Sequence, residues 1–261
     1  MPEIKRPLQA KAHEKSTVDH VIAIMSGKGG VGKSMVTSLT ALATAQSGWN
    51  AGILDGDITG PSIPRAFGLN RGFEMVGKEP HARESNAGIQ IVSANLILDH
   101  EEDPILWKGP MVGQAVTQFW TDFVYSNVDY LFVDMPPGTG DVPLTVFQSL
   151  PVEGVIIVTS PQDLVSMIVG KAINMCQMMG IPIIGIVENM SYFEAPDTGK
   201  QYKIFGDSHI EALCKEKGVD LLARLPIDPS LAELMDSGRI EEADTSSFRP
   251  VVDKIVQMTR K

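Results

Sequence analysis

The segment Gly27-Lys28-Gly29-Gly30-Val31-Gly32-Lys33-Ser34 constrains this chain more than any other. It fits G-x-x-x-x-G-K-[ST]. It directly follows a compact apolar run, Val21-Ile22-Ala23-Ile24-Met25, and opens a helix-like stretch at 33–47. A strand, a glycine-rich turn and a helix in that order form a phosphate cradle. Glycines let the backbone close around an anion without a Cβ clash, and successive N–H groups then point inward. The helix N-terminus adds its partial positive charge. Residues 27–35 (Gly27, Lys28, Gly29, Gly30, Val31, Gly32, Lys33, Ser34 and Met35) are therefore the candidate ligand-binding set. Lys33 supplies a mobile charge for the β- and γ-phosphates of a nucleotide, and Ser34 a hydroxyl for Mg²⁺. Lys28 is a second lysine that such a loop does not need. It is either a solvated loop charge or a cation that reaches a phosphate held by another subunit.

The rest of the chain repeats this strand-then-helix rhythm. Apolar runs at 51–54, 130–133, 154–159, 183–187 and 221–225 are continuous rather than alternating, so they read as strands buried on both faces. Helix-like segments fill 33–47, 110–125, 163–179, 207–217, 230–237 and 248–259. The expected fold is α/β: one doubly wound, mainly parallel sheet flanked by helices. Region 60–108 is rich in Gly and Pro and reads as an excursion that includes a strand near 89–92. Residues 1–19 are polar and mixed in charge, and are expected to be a loose arm ahead of a single domain at 20–261.

Composition narrows the function. With 43% hydrophobic and 21% charged residues among 261, the chain is not intrinsically disordered. Lys+Arg is 22 against Asp+Glu 32, a net charge of −10, which argues against nucleic-acid binding. Two cysteines, Cys176 in an apolar helix-like stretch that packs in the core and Cys214 on a helix expected at the surface, exclude a disulfide framework and a four-cysteine metal site within one chain. No apolar run is long enough to span a membrane, and the N-terminus has no secretory h-region. A cytoplasmic protein is expected. The amphipathic C-terminal segment is expected to dock on the domain rather than on a membrane.

Several polar residues end the apolar runs, at the edge where open α/β sheets bind ligands. Asp134 is positioned to hold Mg²⁺ directly or through water, and Pro136-Pro137-Gly138-Thr139-Gly140 behind it suits a loop that rearranges with the γ-phosphate. Asp55 and Asp57 close the second strand. Each reads as a site carboxylate or as a helix cap or turn former. Asn189 offers both donor and acceptor to the edge of a base.

The loop resembles the deviant Walker A of the ParA/MinD class of dimeric P-loop ATPases. With Gly60-Pro61-Ser62-Ile63-Pro64-Arg65, Trp107-Lys108-Gly109-Pro110-Met111, Asp134-Met135-Pro136-Pro137-Gly138-Thr139-Gly140-Asp141 and Asn189-Met190-Ser191-Tyr192-Phe193, the chain resembles the Mrp/ApbC family of ATP-dependent iron–sulfur cluster carriers. The resemblance runs from about Val21 to the C-terminus. It implies a P-loop NTPase fold and a Mg²⁺-dependent, slow ATPase. It also implies a homodimer, with iron–sulfur assembly or client proteins as partners. It assigns Asp57 to orienting the attacking water, Asp55, Ser34 and Asp134 to Mg²⁺, Lys28 to catalysis across the dimer, and Asn189 to adenine. The segment Pro226-Ile227-Asp228-Pro229 resembles the other side of the base pocket, through Pro226 and Asp228.

One family feature is missing. Cluster-carrying members have Cys-Pro-x-Cys shortly after Asn-Met-Ser-Tyr-Phe, so that two subunits bridge a 4Fe–4S cluster. Here the stretch is Glu194-Ala195-Pro196-Asp197-Thr198-Gly199, with Ala195 and Thr198 where the thiolates belong. A cluster bound by other means, a weak metal site at Glu194 and Asp197, and an ATP-switched protein-binding module without cargo all remain open, with a partitioning ATPase ranked behind them.

Overall fold

The computed structural model describes residues 9–58, 60, 62–97, 109–162 and 165–260. Its frame is a nine-stranded sheet. The chain enters through β1 (Val18–Ser26), turns through the glycine loop into α1 (Lys33–Gln46), and runs down β2 (Ala51–Asp55). After α2 (Ile63–Ala66) come a small hairpin, β3 (Glu74–Val76) and β4 (Glu79–His81), then β5 (Arg83–Glu84) and β6 (Gln90–Val92). The second half alternates regularly: α3 (Gly109–Thr121), β7 (Val128–Asp134), α4 (Asp141–Ser149), β8 (Gly154–Thr159), α5 (Val165–Met178) and β9 (Ile183–Glu194). It closes with β10 (Gln201–Tyr202), α6 (Ile210–Lys217), β11 (Leu221–Pro226), α7 (Pro229–Asp236) and α8 (Arg249–Thr259).

The strand order is β10-β9-β8-β1-β7-β2-β6-β5, with β11 pairing β9. All pairings from β6 to β11 are parallel, and short antiparallel strands, β5 and β10, are added at β6 and β9. β1 lies between β7 and β8, so the chain leaves it in one direction and returns on the other side. That reversal opens a crevice beyond the carboxyl end of β1, where the glycine loop begins.

Continuous apolar runs appear as strands buried on both faces, as expected, except the last: in β11 Leu221, Leu222 and Ala223 are half-buried, Arg224 is exposed and Leu225 alone is buried, because the strand lies at the side of β9. In β1, Val21, Ala23 and Met25 join one core, and Ile22 and Ile24 the other. Leu131 and Val133 of β7 likewise face opposite to Tyr130 and Phe132. Helices α3, α4, α5 and α6 cover the first face, and α1, α2 and α8 the second.

Three expectations need correction. The arm was expected to be loose through residue 19, yet β1 starts at Val18. Ala10 N–H donates to Ser149 O, Trp120 Nε1–H to Ala10 O, and Thr17 N–H to Tyr125 O. The reason is local: Ala10 and Ala12 pack on the first core while the backbone between them and β1 finds partners in α3, α4 and the strand that follows α3. Residues 1–8 lie outside the described residues, as do Pro61, Trp107 and Lys108. Helix α4 was not expected. Pro143 and β-branched neighbours hide it, but Pro is tolerated in a first turn. Cys214 was placed on a surface helix, but it is buried, as is Cys176.

The amphipathic C-terminal segment does dock: Val251, Val252 and Ile255 of α8 are buried in the second core. Ile255→Ala should lower stability by about 2–5 kcal/mol, read as a drop in the urea midpoint with an unchanged slope.

Candidate functional site

The loop after β1 is shaped by two left-handed residues, Gly30 and Gly32, both at φ 80. Gly32 leads into α1, and a Cβ there would collide with the Asn189 amide nitrogen. Only glycine fits both the backbone angle and the space.

Lys33, the first residue of α1, is buried and turned back under the loop. Its Nζ lies 2.7 Å from Asp134 Oδ2 and 3.4 Å from Asp57 Oδ2. Ser34 Oγ donates to the same Asp134 oxygen at 2.6 Å, and Thr37 Oγ1 to the other at 2.6 Å. Asp134 is fully buried at the end of β7, and Lys33, Ser34 and Thr37 tie it to the first two turns of α1. Burial works against the charge on Lys33, but the carboxylates of Asp134 and Asp57 hold its ammonium above the usual lysine range.

Asp55 ends β2 beside Asp134, its register partner. Its Oδ2 accepts from Ser93 Oγ at 2.8 Å, and its Oδ1 from the Asp57 N–H at 3.2 Å. Burial first, and the Asp134 charge second, push Asp55 up to about 8.

Asn189 lies behind the loop. Its Nδ2 donates to Val31 O at 3.0 Å. Its Oδ1 is buried and, among the described residues, has no hydrogen-bond partner.

A cavity of about 330 Å³ opens in front of Lys33. The loop residues Gly29, Gly30, Gly32, Ser34 and Met35 line it, with Asp57 and Pro137 opposite. Ala232 and Met235 of α7 close one side. A second cavity, about 400 Å³ between α4 and α5, touches the site only through Thr139 and its neighbours. Gly138 N–H donates to Ser26 O, which lays the Pro136–Gly140 loop across the end of β1.

The structure thus gathers Lys33, Ser34, Asp55, Asp57, Asp134 and Asn189 around one loop. Lys28 stands apart, its amine donating to Gln162 Oε1. Asp228 is a helix cap: its Oδ1 accepts from Ser230 N–H at 2.8 Å. Pro226 ends β11 opposite Tyr192. Neither lines the cavity; α7 presents Ala232 and Met235 there instead. Sequence reasoning missed Thr37, Ser93 and the α7 wall. Thr37 was findable, because it sits one helical turn after Lys33 on the same face. Ser93 and α7 come together with the loop only through the fold.

A glycine loop between a central parallel strand and a helix, with a lysine and a carboxylate paired beneath it, defines the P-loop NTPase class. Within it, the model of NUBPL iron-transfer P-loop NTPases (ParA) matches residues 17–259, and the chain belongs to this family. It is 41% identical over 86% of its length to the iron–sulfur cluster carrier protein of Clostridium perfringens, covering 82% of that relative. Among solved structures it resembles a nucleotide-binding protein of Archaeoglobus fulgidus in complex with ADP. That match has a TM-score of 0.80 and 37% identity, and covers 89% of this chain and 91% of that one. MinD of Pyrococcus horikoshii with Mg-ADP shares the fold at a TM-score of 0.65 and 21% identity, covering 94% and 98% of the two chains. No helix among the described residues is long and apolar enough to cross a membrane.

The raised Asp55 makes a prediction for the protein without nucleotide. Unfolded Asp gives up its proton near about pH 4, whereas the folded site keeps it to about 8. Stability from protonated Asp55 is complete below about pH 4 and is lost as pH rises through about 8. Asp55→Asn should therefore melt above wild type, with a gap that widens from about pH 5 to about pH 8. Coincident melts at the higher pH would show that the ionised carboxylate costs nothing there.

Proposed function

We propose that this chain is a slow Mg²⁺-dependent ATPase whose nucleotide state switches a homodimer serving iron–sulfur cluster assembly or transfer. The observation that carries this reading is the buried Lys33–Asp134–Ser34 cluster facing a glycine-lined cavity. Family membership, and the ADP complex of the Archaeoglobus protein, agree with it.

The roles follow from the contacts. Main-chain N–H groups of residues 29–34 and the Lys33 ammonium bind the phosphates. The hard oxygens of Ser34, Asp134 and Asp55 form a donor set that fits Mg²⁺. Bound Mg²⁺ offsets phosphate charge during transfer. Asp57, half-buried on the cavity wall, orients the attacking water. Catalysis is positioning and charge stabilisation, without a covalent intermediate. Lys28, drawn toward Gln162 and away from its own cradle, acts on the nucleotide of the partner subunit. Asn189 keeps its amide on Val31 and offers its oxygen to the 6-amino group of adenine, where guanine carries an oxygen, which favours adenine over guanine.

A second reading rests on the β9–β10 hairpin. Ala195 N–H donates to Lys200 O and Gly199 N–H to Ala195 O, so Ala195 and Thr198 occupy the turn where the family resemblance calls for thiolates. Cys176 and Cys214 are buried elsewhere. These residues do not fit a cluster bridged by hairpin cysteines, and the chain is then a nucleotide switch read by a partner protein. Anaerobic iron–sulfide reconstitution separates the readings: a brown product with one cluster per dimer supports carriage, and a colourless protein that still turns over ATP supports the bare switch.

The ATPase reading predicts that Lys33→Ala loses phosphate release together with nucleotide affinity. Lys28→Ala should keep affinity and lose turnover by about 10³–10⁵. Steady-state phosphate release with calorimetry on the same samples checks both. Equal turnover of wild type and Lys33→Ala would remove the enzyme, and weakened binding in Lys28→Ala would place that lysine in the cradle.

A further inference from the structure

β9 departs from the regularity of the other parallel strands where it passes the phosphate loop. Its ladder with β8 ends at Glu188, opposite Thr159. On its other side, Arg224 faces Glu188 and Pro226 faces Tyr192, so two steps along β11 match four along β9. The two extra residues form a bulge at Asn189–Ser191. Met190 in its centre has φ 56. That left-handed conformation costs a non-glycine residue about 1–2 kcal/mol, so surrounding contacts must enforce it.

Those contacts converge on Glu188, which is 1% exposed. Its carboxylate accepts from Ser191 Oγ at 2.6 Å and from Ser208 Oγ, and pairs with Arg224 Nε at 3.3 Å. In an extended strand, residues three apart lie about 10 Å apart and point to opposite faces. The Glu188–Ser191 bond therefore exists only while Met190 is kinked. Asn189 is caught between the clamp and the kink. It has left the β8 ladder, its Nδ2 is fixed on Val31 O, and its Oδ1 has no hydrogen-bond partner among the described residues.

We infer that Glu188 and Met190 are positioning residues for base selection: the carboxylate clamp holds the bulge, and the bulge aims the free oxygen of Asn189 at the base. This rests on the reading of Asn189 as the base acceptor. The clamp touches no nucleotide. It acts by keeping Asn189 out of the regular ladder, where the side chain would swing with the strand. Residue 190 needs the left-handed backbone rather than a methionine side chain.

Calorimetric titration with ADP, IDP and pyrophosphate tests this. IDP replaces the 6-amino group of adenine with an oxygen, and pyrophosphate reports the phosphate cradle alone. Wild type should take ADP over IDP by about tenfold or more. Glu188→Ala, and Met190→Val, whose β-branched side chain resists positive φ, should cut that preference to about threefold or less, with pyrophosphate affinity within about twofold of wild type. Met190→Gly should keep the preference, because glycine adopts the kink freely. The inference is overturned if Glu188→Ala and Met190→Val keep the wild-type ratio, or if Met190→Gly loses it as fully as Met190→Val. Asn189→Ala separates the two levels. If that variant or wild type shows no link between Asn189 and the ADP preference, the base reading itself falls. If Asn189→Ala loses the preference while the clamp variants keep it, only the positioning role falls.

Discussion

The site depends on one buried ion pair. Lys33 and Asp134 meet where α1 begins and β7 ends, and both are withdrawn from water. Such a pair is costly to desolvate, and it is tolerated when the remaining lone pairs are satisfied. Here they are: Ser34 shares one Asp134 oxygen and Thr37 takes the other. Removing the Lys33 charge alone would strand the fully buried Asp134, so the pair fixes the loop to the sheet. The same arrangement holds the lysine beneath the cavity before any ligand arrives, so little reorganisation is left for binding.

Charge accumulates around this pair in an instructive way. Three carboxylates, Asp55, Asp57 and Asp134, surround one ammonium. Asp55 answers by holding its proton. A cluster with more acid than base in a dry crevice is an unstable arrangement on its own, and a cation would relieve it. The conflict of local stability with a site's chemistry is what physical reasoning expects where a protein must bind something.

Much of the fold was legible in the sequence because parallel strands buried on both faces cannot be anything but continuous apolar runs. Val21–Met25 and Gly154–Thr159 stand out for that reason. The phosphate loop was legible because its glycines and lysine sit at fixed offsets between a strand and a helix. What escaped notice lay in weak local signals. α4 carries Pro, Val and Thr in a short helix and is stabilised by packing of Val146 and Phe147 rather than by propensity. The partners of Asp55 and Lys28, namely Ser93 and Gln162, are brought in from the segments that follow β6 and β8. Asp228, assigned to the base pocket by resemblance, caps α7 through Oδ1, a role its place before Pro229 and Ser230 also allows.

α7 has a further consequence. It supplies Ala232 and Met235 to the cavity, yet none of its residues is buried. Elements with little buried surface open at low free energy while the sheet stays intact. The cavity wall on that side is thus a short peripheral helix, tethered at its ends by Asp228 and by the close approach of Gly238 to Gly68. Its loosening is decoupled from the strength of the core.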